Sequence, residues 1–268
     1  MSDKRRIEES YDAQAETYKG AKQLVRMLFR DIKIPPNSTG LDIGCGPGDT
    51  TFELYDILGI GSRVTGIDIS KKMVEKSSKN GCDLGYDNVK FVKMDAESLD
   101  FEDNSLDAVT CIFTFQFFPD KVKALREIYR VLKPRGVLGL FFTADKMFMH
   151  ESFKIFREIN GKHPELDRLR HILDEYESIH MDLEEFIDLM YVAGFEGLDF
   201  FGRHRVYFVN PRKYLEEHPY PLDIFSTVPV ENREQVLMEV RDEMDRRSDH
   251  RGFKLTHYFI QGTARKPS

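Results

Sequence analysis

Apolar and polar positions in the first half of the chain follow two periods in turn, that of buried strands and that of amphipathic helices. Five apolar runs of strand length end near residues 43, 68, 94, 113 and 143, and the last begins at Val137. Helical spacing appears between them over residues 50–59, 70–79 and 120–132, with Ser70 as an expected N-cap and Lys133–Gly136 as an expected helix end. Alternating strands and helices predict an α/β fold with a parallel, doubly wound sheet.

Outside these repeats, one or two helices are expected over residues 4–32, and the second half of the chain is less regular. Asp182 is expected to cap a helix over 183–193, and a strand over 197–209 follows. The long excursion before a closing strand is more than a turn requires. We therefore predict four segments, which are an N-terminal helical cap (1–34), a core (35–210), a helical insertion or lid (211–252) and a closing strand (253–268).

Composition favours a globular enzyme. The 268 residues are 41% hydrophobic, enough for a large core, and the formal net charge is −7. No nucleic-acid partner is expected, because phosphate binding needs clustered Lys and Arg that outnumber the acids. No apolar run approaches ~18 residues, so we expect a cytoplasmic protein with no membrane partner. The 3 cysteines and 8 histidines lack metal-ligand spacing, and no metal is predicted.

The segment Leu41–Asp49 carries the strongest functional signal. It joins a strand end to a helix through Gly44, Gly46 and Gly48. Glycines allow a tight turn and a close approach of backbone to a ligand, as in nucleotide-like cofactor sites. A dinucleotide fingerprint would place a third glycine at Asp49, and the acids on both sides of the loop would repel a pyrophosphate. The same acids suit S-adenosylmethionine, which carries an ammonium and a sulfonium.

Acids also end the next two predicted strands. Asp68 lies about 20 residues beyond the loop, the distance at which a βαβ unit delivers a carboxylate to ribose hydroxyls. Asp95 follows the third strand and is placed to accept a hydrogen bond from an adenine amino group. Ligands of open α/β sheets bind at the carboxyl ends of the strands, so these acids are expected to meet at one site.

The order of LDIGCGPG, VTGIDIS, FVKMDAESL, NSLDAVTCIFTFQF and LREIYRVLKPRGVL resembles the class I S-adenosylmethionine-dependent methyltransferases over roughly residues 35–145. The resemblance implies a mostly parallel seven-stranded sheet with an antiparallel closing strand and a helical insertion before it. It also implies roles for single residues. These are backbone contacts from Gly44, Cys45, Gly46, Pro47 and Gly48, Asp42 near the methionine end, Asp68 on the ribose, Ile69 on the adenine face, Asp95 with Ala96 on the adenine edge, and Cys111 with Ile112 on the floor.

Tyr11 and Tyr18 share one face of the expected first helix, two turns apart. By the same resemblance this helix closes over the cofactor, which makes both tyrosines candidate cofactor contacts. A plain core stripe is the alternative, and the pattern does not separate the two. The bound cofactor would be S-adenosylmethionine, and the product S-adenosylhomocysteine.

The stretch Thr114–Asp120, the insertion and the ending Thr256–Lys266 resemble small-molecule carboxyl methyltransferases of the juvenile hormone acid and trans-aconitate type. This chain has Gln116-Phe117 where the former have His-Trp. The resemblance implies a small, partly apolar acceptor, with a carboxylate oxygen as the leading site of methylation and Gln116, Phe117, Met147 and His204 as substrate-binding candidates. Phe118 is also placed to line that pocket. A phenol, an amine or a protein side chain as acceptor, and a catalytically idle binding protein, remain alternatives. No catalytic residue is assigned, and a monomer or a homodimer is expected.

A base is required only for a phenol or an amine acceptor, because a carboxylate is ionised at neutral pH. The histidines considered for that role are His150, His171, His180 and His204, each of which is more often a surface or packing residue.

Overall fold

The structure is a computed structural model that describes residues 3–16, 18, 20, 23–30, 32–144, 150–163, 166–178 and 181–268. Within these residues a seven-stranded sheet has the strand order β3-β2-β1-β4-β5-β7-β6. The strands are β1 Thr39–Ile43, β2 Arg63–Asp68, β3 Val89–Lys93, β4 Leu106–Ile112, β5 Leu132–Thr143, β6 Glu196–Val209 and β7 Phe253–Arg265.

The helices of the described residues precede, connect and follow these strands. They are α1 Asp3–Gln14, α2 Leu24–Leu28, α3 Asp49–Leu58, α4 Lys71–Leu84, α5 Lys121–Val131, α6 His150–Lys162, α7 Asp167–Ser178, α8 Leu183–Ala193, α9 Pro211–Glu217, α10 Pro219–Ser226 and α11 Val230–Arg246. A single 3-10 turn, Phe115–Phe117, follows β4.

The centre of the sheet is parallel and buried. β1 pairs in parallel with β2 and β4, β2 pairs with β3, and β4 pairs with β5. Leu41 and Ile43 of β1 are 0% and 1% exposed, as expected for strands covered by helices on both faces. With the antiparallel closing strand, this confirms the predicted doubly wound fold.

Several helix ends follow from local capping residues. Ser70 caps α4 by accepting a hydrogen bond from Met73 N–H at 3.1 Å. Asp182 and Glu185 form a capping box at the start of α8, which ends at Gly194 in the left-handed region (φ 95°). Side-chain oxygens at these positions satisfy N–H groups that have no partner within the helix, so both helices begin where the sequence predicted. α4 continues to Leu84, beyond the predicted end at residue 79.

The prediction that β5 begins at Val137 is wrong, since this strand begins at Leu132. Leu132 pairs with Leu106, and the register then shifts so that Val137 pairs with Ala108. Between these two pairs β5 has more residues than β4, and Arg135 in this stretch has a left-handed φ of 68°. The Lys133–Gly136 segment therefore lies in an irregular part of the strand, where its proline and glycine suggested a plain helix end.

The chain divides into two compact units. The first comprises Met1–Phe142, Asp182–Gly202 and Ile260–Ser268, and the second comprises Thr143–Met181 and Arg203–Phe259. The second unit contains α6, α7 and the helices α9, α10 and α11 of the segment between β6 and β7. The sequence pattern did not indicate that residues 143–181 group with that segment, and the four-segment division stays a prediction.

The helices in the described part of the chain are all too short or too polar to cross a membrane.

Candidate active site

A cleft in the first unit lies at the carboxyl ends of β1, β2, β3 and β4, and residues of α1 complete its wall. The residues predicted for ligand contact that line this cleft are Tyr11, Tyr18, Gly44, Cys45, Gly46, Pro47, Asp68, Ile69, Asp95, Ala96, Ile112, Phe117 and Phe118. Those that follow strands converge because the carboxyl ends of parallel strands meet at one edge of the sheet. The individual ligand contacts of all these residues stay predictions. The prediction that Tyr18 shares a helix face with Tyr11 is wrong, because α1 ends at Gln14. The two tyrosine rings still pack edge to face, with centroids 5.9 Å apart.

The glycine loop after β1 is held by hydrogen bonds to the neighbouring strand. The N–H groups of Gly44 and Cys45 both donate to the carbonyl oxygen of Ile67, at 2.8 and 2.9 Å. Gly44 has a φ of 71°, and a Cβ there would lie 2.0 Å from Thr114 Oγ1. Glycine is required because a side chain would separate this loop from the turn after β4.

Asp68 connects the same loop to the end of β2. Its Oδ2 accepts a hydrogen bond from Gly46 N–H and its Oδ1 one from Ser70 N–H, both at 2.9 Å. Burial raises the pKa of Asp68 to about 6, although the two backbone donors oppose the shift. Each oxygen has a second lone pair, so the carboxylate retains capacity for ribose hydroxyls.

Asp95 belongs to the loop after β3, which forms one end of the cleft. Its Oδ1 accepts a hydrogen bond from Glu97 N–H at 2.9 Å, and its Oδ2 accepts one from Lys4 Nζ at 2.7 Å. Burial alone would lower the pKa of Lys4, but the hydrogen bonds and charges of Asp95 and Glu97 outweigh burial and raise it. Lys4 therefore stays charged at neutral pH.

Asp42 lies below the cleft and is absent from its described wall. Its fully buried carboxylate accepts hydrogen bonds of 2.7 Å from the hydroxyls of Thr50, Thr51 and Thr110. Burial raises the pKa of Asp42, and the three donors act against that rise. The side chain fastens β1 to α3 and β4, and its effect on a methionine end would pass through Thr50, which does line the cleft.

Gly48 and Cys111 also lie outside the described wall. Gly48 is the N-cap of α3 (φ 100°), and a Cβ there would lie 2.8 Å from the Phe52 ring. Cys111 is 0% exposed and Cys45 is 2% exposed, and burial raises the pKa of both thiols well above the usual value. Cys82 on α4 is exposed.

The candidates for the acceptor side are placed differently from one another. Phe117 lines the cleft, whereas Gln116 is 2% exposed and lies behind it, donating from Nε2 to the carbonyl oxygen of Phe113 at 3.0 Å. His204 is exposed on β6, with its ring 4.7 Å from that of Tyr258, and is absent from the described wall. Met147 lies outside the described residues.

The wall also contains residues that the sequence analysis did not assign. They are Lys4, Ile7, Gly20, Ile43, Thr50, Ile67, Met73, Met94, Glu97, Phe113, Thr114 and Pro119. Two of them could have been proposed from their positions in the sequence. Lys4 shares a helix face with Tyr11, and Glu97 is a second acid directly after the third strand.

The set of groups fits S-adenosylmethionine. Carboxylates lie where ribose and adenine donors are expected, and apolar side chains, among them Ile69 and Met73, lie between them. The loop is open at Gly46, where the nearest atom to an added Cβ would be on the Tyr18 ring at 3.7 Å.

Comparisons with known proteins agree with this site. Residues 41–140 match a family described as "Methyltransferase domain". The chain is 40% identical over 143 residues to the demethylmenaquinone methyltransferase of Staphylococcus aureus, an alignment that covers 51% of this chain and 58% of that protein. The chain therefore aligns with little more than half the length of this relative.

Solved structures show the same fold over nearly the whole chain. The S-adenosyl-L-methionine complex of phosphoethanolamine N-methyltransferase 2 from Haemonchus contortus has a TM-score of 0.62 at 19% identity, covering 100% of this chain and 60% of that one. The [4+2]-cyclase SpnF has a TM-score of 0.61 at 19% identity, with 97% and 95% covered. At these identities the likeness concerns the fold alone.

Together, the matched family and the site define the segment from β1 to β5 as a class I methyltransferase domain. Its cofactor is S-adenosylmethionine.

Proposed function

We propose that the whole chain is an S-adenosylmethionine-dependent methyltransferase for a small, partly apolar acceptor. One observation carries the proposal. The cleft that contains Asp68 and Asp95 also has an aromatic wall, formed by Phe113, Phe117 and Phe118 of the turn after β4. Such a wall beside a cofactor site suits a small apolar molecule, which binds in concave sites with few polar groups.

The protein contributes alignment and the removal of water. The bound cofactor supplies a methyl group that is already activated on a sulfonium. Holding donor and acceptor in line can lower the barrier by ~7 kcal/mol or more. In this reading the glycine loop and Asp68 fix the position of the methyl donor, and the aromatic wall fixes the acceptor.

A carboxylate oxygen is our leading acceptor atom. It needs no base at neutral pH. No histidine is among the described residues that line the cleft. Of the histidines considered as bases, His171 and His204 are exposed. His180 lies outside the described residues, as does the side chain of His150.

A quinone-like aromatic ring is a second candidate. The relative from Staphylococcus aureus is named for demethylmenaquinone, and it shares 40% identity over 143 residues with this chain. The aromatic wall that suits an apolar acid also suits a ring of this kind.

A turnover assay with labelled methyl groups tests the proposal. The panel contains fatty, terpenoid and polycarboxylic acids, a demethylated naphthoquinol, phenols and amines, with Asp68→Asn as the control for cofactor dependence. We expect methyl esters from an apolar acid, and kcat/KM nearly flat from about pH 7 to 9, because a carboxylate stays ionised there. If kcat/KM instead rises with pH and one histidine variant removes that rise, the reaction uses a histidine base and the base-free mechanism is wrong. Binding without turnover on any acceptor would leave an idle binding protein.

A further inference from the structure

Glu97 lies in the cleft wall, beside the residues expected to contact ribose and adenine. Its side chain is 6% exposed, and its two oxygens accept hydrogen bonds from different elements. Oε2 accepts from Lys4 Nζ of α1 at 2.5 Å, and Oε1 accepts from the N–H of Asp120, the N-cap of α5, at 3.0 Å. Glu97 therefore joins the loop after β3 to two helices.

Lys4 belongs to a row of polar contacts that fasten α1. Lys4, Glu8 and Asp12 are four residues apart and so lie on one face of the helix. Glu8 pairs with Lys93 at the end of β3, and Asp12 accepts a hydrogen bond from the Ser70 hydroxyl at the start of α4. These contacts are made near the ends of β2 and β3, and they hold α1 along one side of the cleft.

The contact between Lys4 and Glu97 is the strongest of these fasteners on physical grounds. The Asp95 carboxylate, the other partner of Lys4, is 36% exposed, and water screens that pair. Glu97 is almost fully buried, so removing Lys4 would leave a buried carboxylate without its direct ion-pair partner. Breaking a pair of this kind is costly because the remaining charge is poorly solvated.

The same helix reaches the acceptor side of the cleft. Tyr11 packs edge to face against Phe117, with ring centroids 5.8 Å apart. The Phe117 turn is itself tied to the start of α5, because Lys121 Nζ donates to the carbonyl oxygen of Phe118 at 3.1 Å. Glu97 holds that same helix start through Asp120, so one carboxylate is connected to both sides of the cleft.

We propose that Glu97 is a positioning residue that holds α1 over the bound cofactor through Lys4 and holds the acceptor wall through the start of α5. The acceptor part rests on the proposed function, whereas the cofactor part does not. Cofactor exchange then requires the contact between Lys4 and Glu97 to break. The acceptor site is complete only while α1 is packed against the cleft.

The first test measures the dissociation rate of S-adenosylhomocysteine from the full chain by stopped-flow displacement. Lys4→Met and Glu97→Gln should raise the rate by about tenfold or more, since both remove the charged hydrogen bond between Lys4 and Glu97. Lys4→Met also removes the one to Asp95, so Glu97→Gln is the more specific variant. Lys4→Arg should restore a slow rate. The matched control is Arg5→Met, because Arg5 pairs with Glu9 on the same helix and is 67% exposed.

The second test separates positioning from a general loss of structure. Glu97→Gln should raise the KM for the acceptor while kcat at saturation of both substrates is kept or increased, and thermal unfolding should show a folded variant. If Glu97→Gln does not fold, Lys4→Met carries the same comparison. Unchanged dissociation rates in Lys4→Met, or equally fast rates in Lys4→Arg and Lys4→Met, would overturn the inference. A native chain that fails to bind S-adenosylhomocysteine would instead overturn the cofactor assignment.

Discussion

The Asp68 carboxylate at the end of β2 accepts a 2.9 Å hydrogen bond from Gly46 N–H in the loop after β1. One side chain thus shapes the glycine loop and is also presented to the expected ribose. Because both tasks use its lone pairs, the protonation state of Asp68 should govern cofactor binding.

The pH dependence of cofactor affinity tests this link. Burial raises the pKa of Asp68 to about 6, so the carboxylate is ionised above that pH and protonated below it. The affinity for S-adenosylhomocysteine should rise as the pH increases through about 6 and then level off. Calorimetry at several pH values measures it. Asp68→Asn should weaken binding by about 1.5 to 3 kcal/mol at pH 7 and abolish the step. A step that persists in Asp68→Asn would assign it to another group.

The stability of the ligand-free chain should respond to Asp68 in the opposite direction. Its pKa in the folded chain, about 6, lies above the ordinary 3.8, so the folded state holds the proton more tightly than the unfolded state. The stabilising contribution of Asp68 is complete below about pH 4 and is lost as the pH rises through 6. Asp68→Asn should therefore unfold at the same or a higher temperature than the native chain at pH 7. A clearly lower melting temperature would show that loop contacts of the carboxylate outweigh its burial.

Asp42→Ala should act mainly on stability. The change leaves three buried threonine hydroxyls without their shared acceptor, and each unsatisfied group costs about 1–3 kcal/mol. The free energy of unfolding, measured with denaturant, should fall by at least about 2 kcal/mol. Asp83→Ala, at an exposed position on α4, is the control and should change little. Lost cofactor binding with unchanged stability would point to direct ligand contact by Asp42.

Two glycines with similar φ angles should respond differently to alanine. Gly44 has a φ of 71° and Gly85, at the end of α4, a φ of 79°, but an added Cβ meets Thr114 at the first position and nothing within 4 Å at the second. Both changes should cost roughly 1 kcal/mol of backbone strain. Only Gly44→Ala should also weaken binding of S-adenosylhomocysteine, by about a hundredfold, because the loop must move away from the turn after β4. Equal binding by the two variants would show that the loop tolerates the shift.

Phe117→Ala should act on the acceptor. Its ring lies in the aromatic wall of the cleft and carries no group that could accept a hydrogen bond from ribose or adenine. Steady-state kinetics should show a higher KM for the acceptor or a changed acceptor preference, with the equilibrium affinity for the cofactor kept within about threefold. Equal losses for both ligands would mean that the ring supports the core.

Residue order alone predicted the parts of this structure whose signals are local. A strand, a glycine turn and a helix cap each depend on a few adjacent residues, and so β1, the loop at Gly44 and the caps at Ser70 and Asp182 were predictable. The convergence of Asp68 and Asp95 followed from the topology of a parallel sheet, which brings strand ends together.

Contacts between distant segments could not be predicted in this way. No helix was predicted over α6 or α7, and no site role was predicted for Lys4. Its partners Asp95 and Glu97 are 91 and 93 residues away along the chain. The threonine partners of Asp42 were also not predicted, although Thr50 and Thr51 are only 8 and 9 residues away and Thr110 alone is distant. The implied position of Asp42 near the methionine end stays a prediction.

The unequal burial of the three cysteines gives this chain a built-in attachment point for a fluorescent dye. Thiol reagents attack the thiolate, and burial keeps Cys45 and Cys111 protonated as well as shielded. Cys82 is exposed on α4, the helix against which α1 packs. A maleimide dye should therefore label the native protein at Cys82 without any replacement of the other two, and its emission would report the movement of α1 that the proposed role of Glu97 requires.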